Sequence, residues 1–170
     1  MKKITSVILA IALIFALAVT AMAAEIADCT VSADSVSATA GGTVTVPIRI
    51  SGNRGFTNFG IALDYDREQL ELLSIQTAEG ETPYLCGTTV AVNTQWTGTD
   101  EKTFGYVTAA LEEAATADGI LFTATFRVSG DFSGTAAVQP VVQYMRSNKR
   151  LLSVFDAIPV TTVSGTVSTV

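Results

Sequence analysis

The chain has 170 residues, with 16 acidic and 10 basic side chains, a formal net charge of −6 and no histidine. Nucleic-acid binding needs clustered positive charge, and the only basic cluster, Arg146 with Lys149 and Arg150, is expected to be a solvated loop. Without histidine the chain lacks Ser-His and Cys-His nucleophile activation and imidazole metal sites. A glycosidase needs two carboxylates across a cleft, and no acidic residue lies in a recognisable catalytic motif, so we expect no enzyme.

Residues 1–23 have the three parts of a signal peptide: a basic start at Lys2 and Lys3, an apolar run from Ile4 to Val19, and an Ala21-Met22-Ala23 ending. The apolar run is shorter than the roughly 20 residues of a membrane-spanning helix. We therefore expect cleavage after Ala23 and a secreted or extracellular domain, which could be associated with the cell surface.

The remaining sequence, residues 24–170, is rich in Val, Thr, Ile and Ala in short alternating runs, separated by Gly, Asn, Asp and Ser. This pattern is typical of an antiparallel β-sandwich, and no linker or repeat divides it, so one all-β domain is expected. Asp66 to Leu70 is predicted to form one helical turn, capped by Asp66. Nine strands are predicted: Cys29 to Ser32, Thr43 to Ile50, Asn58 to Tyr65, Glu71 to Thr77, Thr89 to Gln95, Phe104 to Leu111, Ile120 to Val128, Ala136 to Gln143 and Thr161 to Val167.

Two of these strands have an unusual outward face. The period of two in Asn58 to Tyr65 places Phe59, Ile61, Leu63 and Tyr65 in the core. The intervening residues are small at the centre of the strand, which predicts a flat, shallow strip. In Ile120 to Val128 the same alternation directs Leu121 outward, as a candidate apolar anchor for a partner.

Asn58 to Leu70 (NFGIALDYDREQL) and Gly119 to Val128 (GILFTATFRV) resemble the cohesin module. Cohesins are the receptor half of the cohesin–dockerin pair that assembles extracellular polysaccharide-degrading complexes. Thr43 to Ile50, with Pro47 inside the run, resembles the early Val-Pro strand of that family. The resemblance covers essentially all of residues 24–170 and implies a non-catalytic, nine-stranded jelly roll that binds a dockerin.

The resemblance also implies a binding plateau on one sheet, built from the third, fifth, sixth and eighth strands. With Gly119 to Val128 taken as the eighth strand, the plateau residues are Asn58, Gly60, Ala62, Asp64, Ala91, Asn93, Gln95, Leu121, Thr123 and Thr125. The outward face of Phe104 to Leu111 stays open. Hydrophobicity would expose Tyr106, Thr108 and Ala110, whereas alignment by the acidic pair that follows the strand suggests the opposite.

Cys29 and Cys86 are the only cysteines, and an exported protein can form a disulfide. The sequence leaves open whether the two residues meet. Asp64, Asp66 and Glu68 alternate like the start of a calcium loop, but the later Gly and Glu of such a loop are missing. We expect a monomer without a cofactor, and the resemblance implies that calcium belongs to the dockerin partner.

Two other functions fit a secreted sandwich. A carbohydrate-binding module is one, because Trp96 with Tyr84 or Tyr106 could stack on sugars, although Trp96 is the only tryptophan. A structural, adhesin-like surface module is the other. Under the cohesin interpretation any contact with polysaccharide is indirect.

Overall fold

The computed structural model describes residues 29–77, 85, 90–147 and 156–170. The predicted signal peptide lies outside these ranges. Within them the chain forms twelve β-strands and no α-helix. The strands are β1 (Cys29–Ala33), β2 (Val36–Ala38), β3 (Thr43–Ser51), β4 (Phe56–Tyr65), β5 (Leu70–Gln76), β6 (Val90–Thr97), β7 (Thr103–Ala115), β8 (Gly119–Val128), β9 (Thr135–Ser147), β10 (Asp156–Ala157), β11 (Val160–Val163) and β12 (Gly165–Thr169).

Two sheets pack face to face as a jelly-roll-like sandwich, which confirms the predicted fold class. The five-stranded sheet has the order β11-β1-β3-β8-β5. The seven-stranded sheet has the order β2-β12-β9-β4-β7-β6, with β10 paired to β9. The predicted count of nine differs because β2 and β10 are short, and because the predicted closing strand is divided into β11 and β12, which lie in opposite sheets.

The core lies between the sheets and includes residues that alternation predicted to be buried. Phe59, Ile61 and Leu63 of β4 are fully buried, and so are Phe122 and Phe126 of β8. Tyr65 lies edge-on to Phe126, with 5.0 Å between ring centroids, and so joins the two sheets. Edge-to-face rings at this separation stabilise a core beyond the area that they bury.

The two loops that lead into β4 and β8 are joined by hydrogen bonds. The Asp118 carboxylate accepts from the backbone N–H groups of Gly52 (3.2 Å) and Asn53 (2.9 Å). In return the Asn53 amide donates to the carbonyl oxygens of Ala115 (2.9 Å) and Ala117 (2.7 Å). These bonds fix the point where β4 enters the seven-stranded sheet.

The predicted turn after β4 is present. The backbone N–H of Leu70 donates to the carbonyl of Asp66 (2.9 Å), and the Asp66 carboxylate accepts from the N–H of Glu68 (2.9 Å). The turn returns Leu70 to the core, where it is buried.

Cys29 is a buried thiol whose pKa is raised chiefly by burial. The candidate disulfide between Cys29 and Cys86 stays a prediction. Cys86 itself lies outside the described residues.

The predicted location of Leu121, Thr123 and Thr125 on the plateau is wrong, because β8 hydrogen-bonds to β3 and β5 in the five-stranded sheet. The chain crosses between sheets after β7, so β8 and β4 lie on opposite sides of the core. The neighbour of β4 is instead β9, which contains the eighth of the nine predicted strands.

Leu121 is also not exposed. The register with β3 shifts so that Ile48 pairs with Phe122 and Arg49 with Ile120, which leaves Leu121 at an irregularity. Leu121 and Phe122 are both 0% exposed, so the alternation on which the prediction depended is broken here. Thr123 is only 7% exposed, and the Thr125 hydroxyl bonds to that of Thr45 at 3.0 Å.

We predict that Leu121→Asp destabilises the fold by about 3 kcal/mol or more, because it places a carboxylate in a fully buried position. Thr45→Asp makes a comparable change at an exposed position of the same sheet and should alter stability by less than about 1 kcal/mol. Urea denaturation measures both. A Leu121→Asp midpoint equal to that of the wild type would contradict the burial of this residue.

Candidate functional site

Four adjacent strands, β9-β4-β7-β6, present one continuous face to solvent, which we call the plateau. It is the side of the seven-stranded sheet away from the core. Cross-strand register carries one row from Ala91 through Thr108 to Gly60, and another from Asn93 through Tyr106 to Ala62. Paired residues of antiparallel strands share a face. The structure thus brings together six of the predicted residues: Asn58, Gly60, Ala62, Asp64, Ala91 and Asn93.

The same register settles the open face of β7. Val107 pairs with the core residue Ile61 and Ala109 with Phe59, and both are buried. Tyr106, Thr108 and Ala110 therefore belong to the plateau, as hydrophobicity indicates.

Gln95 lies beyond an irregularity in β6. Pairing with β7 shifts between Asn93 and Thr97, and the Asn93 side chain accepts a hydrogen bond from the Gln95 backbone N–H at 3.0 Å. The indole of Trp96 then stacks on Tyr106, with ring centroids 5.2 Å apart and planes tilted by 34°. Gln95 and Trp96 both line a cleft at the edge of the sandwich, together with Tyr65 and Phe104. Through its contact with Tyr106, Trp96 joins the plateau at the position that was predicted for Gln95.

The small residues of β4 are the floor of the plateau and not its surface. Gly60 is buried and Ala62 is 0% exposed although both point away from the core. A Cβ atom added to Gly60 would lie 2.5 Å from Cε1 of Tyr144 and 3.0 Å from Cζ of Tyr106. The two tyrosine rings, one from each neighbouring strand, therefore cover the predicted shallow strip.

The tyrosine hydroxyls are hydrogen-bonded. The Tyr144 hydroxyl lies 2.7 Å from the Thr108 hydroxyl. Burial raises the pKa of Tyr106 to about 12, with further contributions from a hydrogen bond and electrostatic repulsion involving Tyr144. The Tyr106 phenol is thus a neutral hydrogen-bonding group at physiological pH.

Charge is sparse and lies toward the two ends of the plateau. Arg146, which pairs with Asn58 and was expected in a solvated loop, holds its guanidinium 5.2 Å from the centroid of the Tyr144 ring. Asp64 pairs with Gln139 near the opposite end of β4. Beside Arg146, the buried Asn58 Oδ1 accepts no hydrogen bond from the part of the chain that is described.

Six plateau residues were missed or left open by sequence reasoning: Trp96, Tyr106, Thr108, Ala110, Tyr144 and Arg146. One sequence signal could have found the tyrosines. A glycine inside a strand often marks the close approach of another group, and Gly60 has this property.

In the described ranges, no three His, Cys, Asp or Glu side chains are grouped to hold a metal ion. No helix there is long and apolar enough to span a membrane.

A family model of the Cohesin domain matches residues 29–168. Among solved structures, the fold is similar to a type I cohesin–dockerin complex of the OlpA cohesin from Clostridium thermocellum, with a TM-score of 0.67 and 16% identity over 84% of this chain and 99% of that one. It is also similar to the seventh ScaB type I cohesin from Pseudobacteroides cellulosolvens, with a TM-score of 0.66 and 20% identity over 84% of this chain and 94% of that one. A third similar structure is a non-cellulosomal cohesin from Archaeoglobus fulgidus, with a TM-score of 0.63 and 21% identity over 85% of this chain and 92% of that one.

A comparison with curated proteins finds no match. The family model nevertheless spans most of the chain, from β1 into β12. This protein therefore belongs to the cohesin domain family.

Proposed function

We propose that this chain binds the dockerin module of an enzyme or scaffold protein through the plateau. The observation that carries the proposal is a tyrosine-centred sheet face on β9-β4-β7-β6, in a chain that belongs to the cohesin family. Several structural neighbours are cohesin–dockerin complexes.

The composition of the plateau supports this role. Interface hot spots are enriched in Trp, Tyr and Arg, and Trp96, Tyr106, Tyr144 and Arg146 lie in contact with one another across the plateau. An open sheet face suits a docked helix better than a small-molecule ligand, which requires a concave pocket.

Cohesin domains are non-catalytic interaction modules that need no cofactor. We infer that this chain has no enzymatic activity and that any calcium is held by the dockerin. An N-terminal signal peptide would export it, so that the complex assembles outside the cell on polysaccharide substrates.

Carbohydrate binding is the competing function. Its strongest support is Trp96 stacked on Tyr106. A centroid separation of 5.2 Å means that the rings cover each other in part, whereas sugar stacking uses open ring faces. Tyr84, the other candidate ring, lies outside the described residues.

We expect calorimetry against a panel of calcium-loaded dockerins to show binding that chelation of calcium abolishes. Ala110→Arg should weaken it by about 30-fold or more, because Ala110 is an exposed plateau residue on the inner strand β7 and a bulky charge there would separate the two surfaces.

Thr45→Arg is the matched control, since it places the same side chain at an exposed position of the five-stranded sheet. Its affinity should equal that of the wild type. Equal weakening by both variants would place the interface elsewhere. Binding to cellulose, xylan or pectin fragments that survives Ala110→Arg and disappears with Trp96→Ala would replace the proposal with carbohydrate binding.

Export has a separate test. Expression in a bacterial host with an intact secretion pathway should release a protein whose first residue, by intact-mass spectrometry, is Ala24. Replacing Ala21 and Ala23 with bulky residues should stop cleavage. A full-length protein retained in the cytoplasm would contradict the assignment of residues 1–23.

A further inference from the structure

We infer that Gly60 determines partner binding by seating Tyr106 and Tyr144 over the middle of the plateau. These two rings and the Thr108 hydroxyl then form a preorganised anchor for the partner. The inference rests on the proposed function, because it identifies which part of the plateau the dockerin contacts most strongly.

The Tyr144 side chain extends across β4 as far as Thr108. Tyr144 on β9 and Thr108 on β7 both pair with Gly60 on the intervening strand. Strands are spaced by about 4.8 Å, so backbones two strands apart are about 9.6 Å apart. The hydroxyl groups nonetheless meet at 2.7 Å. Tyr144 must therefore lie across β4, and only a residue without a Cβ atom leaves space beneath the ring.

Tyr106 occupies the same space above Gly60. Tyr106 pairs with Ala62, two residues along the strand from Gly60, yet its hydroxyl end lies directly above Gly60. Any side chain at position 60 would displace both rings at once. Ala62 is covered as well, but its methyl group is already accommodated.

The hydroxyl groups of Tyr106, Thr108 and Tyr144 keep some hydrogen-bonding capacity for a partner. Three hydroxyl groups carry three protons. The bond between Tyr144 and Thr108 uses one of them, and the hydrogen bond between Tyr106 and Tyr144, which contributes to the raised pKa of Tyr106, uses a second. One proton and several lone pairs remain for the partner. The cluster is thus suited to a neutral polar group within an otherwise apolar contact.

Both tyrosine rings are held in place by neighbouring side chains, which favours binding. Trp96 stacks on Tyr106 from β6, and the Arg146 guanidinium lies against Tyr144 from within β9. Side chains held in place before binding lose little conformational entropy when the partner docks. The ordered rings thus contact the partner, and Gly60 acts by positioning them.

The test compares Gly60→Ala with Gly130→Ala by calorimetry, using a dockerin that binds the wild type. Gly130 is the matched control, because an added Cβ there meets no atom within 4 Å. We expect Gly60→Ala to weaken binding by about tenfold or more and Gly130→Ala to leave it within about twofold. Tyr144→Phe and Thr108→Val, which remove the bridge but keep the side-chain volume, should weaken it by a few fold.

Two spectroscopic measurements report on the anchor without a partner. Near-ultraviolet circular dichroism at pH 7 should lose aromatic intensity in Gly60→Ala while the far-ultraviolet spectrum is unchanged. In an ultraviolet titration of the wild type, Tyr106 should ionise with a pKa of about 12. The Tyr106→Phe variant, which lacks this signal, identifies it. That pKa should move toward the ordinary value of about 10 in Tyr144→Phe.

The outcomes are separable. If no dockerin binds the wild type, the proposed function fails, and the spectra still decide whether the anchor exists. If dockerin binds and Gly60→Ala retains wild-type affinity, the inference fails and the proposed function stands. A Gly60→Ala protein with unchanged aromatic dichroism would also overturn it.

Discussion

The strand β4 is constrained on both of its faces, and the rest of the structure depends on this constraint. One face supplies Phe59, Ile61 and Leu63 to the core. The other face needs small side chains, because tyrosine rings from the neighbouring strands lie across it. A strand buried on both sides usually carries large apolar residues throughout. Here the solvent side of the sheet is covered by side chains of its own neighbours, so the outward positions are small.

The neighbouring strands are adapted to this arrangement. The pairing of β4 with β9 shifts between Gly60 and Ile61, and its pairing with β7 shifts between Ala62 and Leu63. The second shift lies beside Gly105, whose φ of 62° belongs to the left-handed region that favours glycine. A Cβ there would also lie 2.6 Å from Cδ2 of Leu72. Irregularities on both sides of β4 thus direct Tyr106 and Tyr144 toward the same point.

Local sequence pattern predicted which residues share a face, but it did not predict which strands share a sheet. Alternation placed Phe59, Ile61, Phe122 and Phe126 correctly in the core, because burial of a period-two pattern is a local property. The assignment of β8 to the plateau failed because sheet membership depends on contacts between distant segments.

The remaining errors have local causes that a simple alternation cannot show. Leu121 lies at a register shift, and Gln95 follows a side-chain hydrogen bond that changes the direction of β6. The small strip at Gly60 and Ala62 was identified correctly as unusual. Its meaning depended on Tyr144, 84 positions away, which no local pattern connects to Gly60.

The pairing of the earliest and latest strands bears on how the domain is completed. β1 and β2 run parallel to β11 and β12, and the Ser37 and Ser168 hydroxyls meet at 3.4 Å across 131 positions of sequence. β2 lies at a sheet edge, and its hydrogen-bonded neighbour is β12. A chain that emerges N-terminus first cannot pair β2 until residues 165–169 have appeared. Contacts this distant in sequence make folding slow, so the final closure of the sandwich waits for the last strand.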